Sequence, residues 1–136
     1  MTASSTSFKA ACLFAIAGIG MGIAMAASQN HAVMPAHAHL NLLGWVSLFL
    51  FGIYYRLHPA LDGTRLAMIQ VGLWALGTVV LTVAVAGLHL GYAAFEPVAA
   101  LASLIVLAAI GLFTVLVFRS DAKARAPAPP LFTPAG

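Results

Sequence analysis

Four apolar runs shape this chain, at roughly residues 8–27, 36–57, 66–90 and 98–118. Each supplies the about 20 predominantly apolar residues that a helix needs to cross the hydrocarbon core of a bilayer. The chain as a whole, 136 residues with 62% of them hydrophobic, carries more apolar surface than a soluble domain of that size can bury. The expected fold is an all-α integral membrane protein with four transmembrane helices.

The connections "SQNHAVMP", "HPALDGTR" and "GYAAFEP" leave no room for an extramembrane domain. Residues 1–125 therefore read as a single four-helix membrane domain. Residues 126–136, rich in Pro and Ala, read as a flexible tail. Cys12 is the only cysteine, so an internal disulfide is excluded and a packing role is expected. A net charge of +3, scattered along the chain, argues against nucleic acid as a partner. Lys9, the first apolar run and "AMAAS" imitate a secretory signal with its cleavage site. Gly18 and Gly22, a G-x-x-x-G face, argue instead for a working helix.

The basic residues fix an orientation. Lys9 precedes the first run, Arg56 and Arg65 flank the second connection, and Arg119, Lys123 and Arg125 follow the fourth run. The first and third connections hold no Lys or Arg. The positive-inside rule then puts both termini in the cytoplasm, in a multi-pass protein expected in a bacterial inner membrane. His31, His37, His39 and His89 share the opposite, periplasmic side with Met21, Met25, Met34 and Glu96, and only His58 is cytoplasmic. Snorkelling to the headgroups accounts for His31 and His58. It does not account for the pair in "HAHL", because ionisable groups inside spanning helices are costly and usually functional.

Two residues along an α-helix make a turn of about 200° and a rise of about 3 Å. His37 and His39 are thus expected on opposite sides of the second helix, badly placed to chelate one ion together and well placed to enter two clefts. Below His37 the spacing puts Asn41, Gly44 and Ser47, a small and polar stripe with space for a flat group. Below His39 it puts Leu43, Val46 and Leu50, an apolar wall. A haem, with its broad apolar macrocycle and an iron that accepts neutral imidazole, suits those surfaces. Trp45 and Tyr92 are expected to line the cleft or to anchor the membrane interface.

"HAHLNLLGWV" resembles the haem-binding helix segments of the haem–copper oxidase superfamily. That superfamily includes subunit I of terminal oxidases, nitric oxide reductases and related membrane proteins associated with nitric oxide metabolism. Subunit I is built from three quasi-equivalent arcs of four helices, and this chain looks like one such arc. The resemblance implies a homotrimer in which His37 of one protomer and His39 of its neighbour hold a low-spin haem b. It places Asn41, Gly44 and Trp45 around the cofactor. It sets His89 at the level of the family's copper-binding histidine pair, here without its second member. It further implies electron transfer or nitric oxide- or oxygen-related redox chemistry, with a quinol or a periplasmic redox protein as partner. An oxidoreductase or an electron carrier would both fit, and no catalytic residue is assigned.

The pattern also departs from the family. No outer Arg or Lys is present to meet haem propionates, and Gln70, Thr78, Thr82, Ser103 and Thr114 make no evident proton channel. The threonine pair can bond back to its own helix. Proton pumping and dioxygen reduction are not expected. The alternative is a periplasm-facing copper-binding or copper-transfer protein. Its ligands would come from His31, Met34, His37, His39 and His89, with Met21 and Met25, since imidazole and thioether suit Cu(I). A third reading is a structural subunit of a larger complex.

Overall fold

The computed structural model describes residues 1–124, and every regular element among them is helical. The tail expected at residues 126–136 lies outside the described residues. The long helices are α1 (Ala3–Ser28), α2 (Met34–Leu57), α3 (Arg65–His89) and α4 (Glu96–Ala124). A single helical turn, Pro59–Asp62, links α2 to α3, and a 3₁₀ turn, Ala93–Phe95, leads into α4. Four helices are long and apolar enough to cross a membrane, as a multi-pass membrane protein requires.

The start of α1 follows from capping more than from hydropathy. Helix α1 starts well before the apolar run, within the Ser/Thr-rich segment. Thr2 supplies the cap: its Oγ1 accepts the Ser5 N–H at 3.4 Å. Asp62, from the α2–α3 turn, adds a second one by accepting the Ser4 N–H at 2.6 Å and the Ser4 hydroxyl at 2.7 Å. A carboxylate there satisfies orphan donors and faces the positive end of the helix dipole. Thr64 caps α3 in the same way, accepting the Ala67 N–H at 3.2 Å. Pro35 sits in the first turn of α2, where its missing N–H costs no hydrogen bond.

Successive helices pack side by side, α1 on α2, α2 on α3 and α3 on α4. Among the described residues α1 and α4 make no extended contact, but α1 also meets α3, and Phe51 of α2 meets Phe113 of α4, so the helices form a staggered row with α1 and α4 at its ends. Burial follows position in the row: half of the apolar window of α3 is covered, against 17% for α1 and for α4. The end of the row that carries Lys9, Arg56, Arg65 and Arg119 is called the basic end below.

Near the basic end an aromatic core ties α2, α3 and α4 together. The Phe51 ring meets Trp74 edge-on with centroids 4.9 Å apart and Phe113 at 4.4 Å. Tyr55 is fully buried beside them and donates its hydroxyl to Gln70 Oε1 at 2.9 Å. Thr78 bonds back to the Trp74 carbonyl at 2.8 Å, as expected for a helical threonine. Thr82 differs: its buried hydroxyl has no partner among the described residues.

Helix α2 is not uniform. Leu40–Ser47 is π-helical, flanked by α-helical Met34–His39 and Leu48–Leu57. Each i→i+5 turn holds one more residue than an α-turn, which changes how the two halves of α2 are rotated against each other.

Candidate functional site: the His37–His39 segment and its clefts

His37 and His39 face different neighbours. His37 lies against α1, its Cε1 3.1 Å from where a Cβ on Gly22 would stand. Asn41, one turn on, occupies the space left by Gly18, where a Cβ would come within 2.5 Å of its Oδ1. The Asn41 amide nitrogen donates to the His37 carbonyl at 2.9 Å and lies 3.3 Å from His37 Nδ1 and 3.4 Å from Nε2. The G-x-x-x-G face of α1 is thus spent on seating the His37 side of α2.

His39 turns to the other side. It lines a cleft of about 350 Å³ with Ala38, Leu42 and Leu43 of α2, Leu81 of α3, and Ser103 and Val106 of α4. Its Nδ1 lies 2.7 Å from the Pro35 carbonyl. A carbonyl only accepts, so in the neutral ring the proton sits on Nδ1 and the lone pair on Nε2. Metal-bound histidines commonly show this arrangement, with the distal nitrogen held by a backbone carbonyl. The imidazole is half-buried, and its second nitrogen has no hydrogen-bond partner among the described residues, so in this largely apolar cleft it could ligate a metal or a haem iron.

The other expected site residues disperse. Gly44 is buried on the α1 side, where a Cβ would stand 2.7 Å from the Phe14 ring. At Gly44 the space expected below His37 is therefore occupied by the Phe14 ring. Trp45 is exposed and lines a groove of about 410 Å³ with Val46, Phe49 and Leu50. The apolar wall expected under His39 accordingly divides: Leu43 stays in the His39 cleft, while Val46 and Leu50 belong to Trp45's groove. The π-helical stretch is the reason, because it breaks the α-helical spacing on which both stripes were drawn. Ser47 shows the same register by donating its Oγ to the Leu42 carbonyl, five residues back, at 2.8 Å.

His89 is exposed at the end of α3, its Nδ1 2.9 Å from the Val85 carbonyl, and His31 and Met34 are exposed in the α1–α2 connection and at the start of α2. No group of three His, Cys, Asp or Glu that could hold a metal ion forms among the described residues, so His37, His39 and His89 do not make one shared site. Sequence reading missed Trp74. Its indole Nε1 donates 2.8 Å to the carbonyl of Leu43, a residue of the His39 cleft wall. A buried Trp must place its N–H somewhere, and that was the signal available.

No protein-family model, curated protein or solved structure matches this chain, so the resemblance to haem–copper oxidases rests on the histidine segment of α2 alone.

Proposed function

We propose that the chain is a haem b-binding protein of the bacterial inner membrane, with His39 Nε2 as an axial ligand to the iron. The observation that carries this reading is the His39 ring in the α2–α3–α4 cleft, with Nδ1 against the Pro35 carbonyl and Nε2 without a partner among the described residues. The cleft of about 350 Å³ between α2, α3 and α4 is large enough for part of a porphyrin, so the rest of the group would extend to a neighbouring protomer. In a homotrimer that neighbour offers His37. Its ring must leave Gly22 and the Asn41 amide to reach iron, so Asn41 governs the second ligand. Haem supplies one-electron chemistry, and two imidazole ligands suit it to transfer and not to gas binding. A quinol or a periplasmic redox protein is the proposed partner, with the basic end in the cytoplasm.

Haem retention by purified variants tests the assignment. His39→Ala is expected to lose the Soret band while keeping its helical circular dichroism. His37→Ala is expected to keep haem in part and to shift it toward a five-coordinate, high-spin spectrum. Wild-type spectra from both variants would overturn the ligand assignment.

A further inference from the structure

We propose that Trp74 and Ser47 are positioning residues that hold the π-helical form of Leu40–Ser47 and so decide which cleft His39 faces. The proposal rests on His39 being the ligand-bearing side chain of that cleft, as argued above.

In an α-helical ladder each carbonyl accepts the N–H four residues on. At the end of the π-helical stretch the pattern breaks. The Leu48 N–H goes to the Trp45 carbonyl, and the Leu43 carbonyl accepts the Trp74 indole at 2.8 Å. The Leu42 carbonyl accepts the Ser47 hydroxyl at 2.8 Å. Two side chains, one from α3 and one from α2 itself, thus hold carbonyls inside the irregular segment.

Trp74 is suited to the task. Its indole is a donor only, it is 5% exposed, and the edge-on contact with Phe51 keeps the ring from swinging away. Inside a membrane no water is present to replace a lost partner, so breaking the bond strands both groups. Losing either hold favours return of the stretch to α-geometry. Each residue withdrawn from the π-turns then rotates the His37–His39 end against Leu48–Leu57 by about 100°. Such a rotation carries His39 out of its cleft and His37 off Gly22.

Spin-label distances test this without any bound group. In a Cys12→Ser background, labels at Ala38→Cys and Val106→Cys span the His39 cleft, and labels at Thr6→Cys and Met68→Cys span α1 and α3 at the basic end. Trp74→Phe, which removes only the N–H from an aromatic side chain, is expected to move or broaden the 38–106 distribution by on the order of 5 Å. Ser47→Ala is expected to do so less, and the 6–68 distribution is expected to stay as in the parent. An unchanged 38–106 distribution in both variants would overturn the proposal. Should Trp74→Phe also disturb the 6–68 pair, Ser47→Ala decides alone, and no change there overturns it. A wild-type protein without haem would count against the ligand reading of His39 and leave this distance comparison to be judged separately.

Discussion

At the scale of single residues, what distinguishes the histidines is the surroundings of Nε2. His39, His58 and His89 all bring Nδ1 to the carbonyl four residues back, at 2.7, 2.7 and 2.9 Å. His58 then stacks on Tyr54 with centroids 4.1 Å apart, and His89 is exposed, whereas His39 lines a cleft with residues of three helices. The opposed faces of His37 and His39 could be read from their spacing. The meaning of Gly44 could not, because smallness in a sequence does not say whether a ligand or a neighbouring ring uses the space. Gly44→Ala is expected to destabilise by about 1–3 kcal/mol, since its Cβ would meet the Phe14 ring at 2.7 Å. Gly20→Ala, with nothing within 4 Å of the added Cβ, is expected to cost nothing of that kind. Denaturant midpoints of the two variants, measured side by side, check the contrast. Tyr55→Phe removes the hydroxyl that Gln70 Oε1 accepts and is expected to cost about 1–3 kcal/mol by the same measurement.

At the scale of elements, the four helices were legible because length and hydropathy suffice to mark a spanning segment. Most of their ends were legible too, within two residues, but the start of α1 and the end of α4 were not. Helix α1 extends back to Ala3 through a polar segment, and one of its caps comes from Asp62, far away in the chain. Asp62→Ala is expected to lower stability by about 1 kcal/mol and to speed amide exchange selectively in the first turns of α1. Equal exchange there in the variant and the parent would contradict that role. The π-helical stretch left a faint trace in the pattern of burial. Ala36, Leu40, Gly44 and Leu48 are all buried, at strict intervals of four. On an α-helix such a series drifts by about 40° a step, so keeping it on the covered side calls for a looser turn. Hydropathy alone does not mark this, because intervals of four also occur on ordinary helices.

At the scale of the whole molecule, the staggered row leaves α1 and α4 at its ends and the His39 cleft, between α2, α3 and α4, partly open. On the proposed reading a porphyrin broader than the cleft would make assembly part of binding, and the protein in nanodiscs is then expected to have the mass of a trimer that dissociates when haem is lost. Monomer mass with haem bound would contradict the shared site. Orientation is tested separately. A cysteine at His31, in a Cys12→Ser background, is expected to react with an impermeant maleimide in intact spheroplasts, and one at Gly63 only after permeabilisation. Reversed labelling would place the histidine-rich end in the cytoplasm. The most direct measurement is the optical spectrum of the purified wild-type protein, as isolated and after dithionite. Haem held by His39 and a second imidazole requires a sharp Soret band that shifts on reduction, with narrow α and β bands. A colourless protein from cells supplied with haem precursor would contradict haem binding, and copper in its metal analysis would point to the histidine- and methionine-bearing outer end instead.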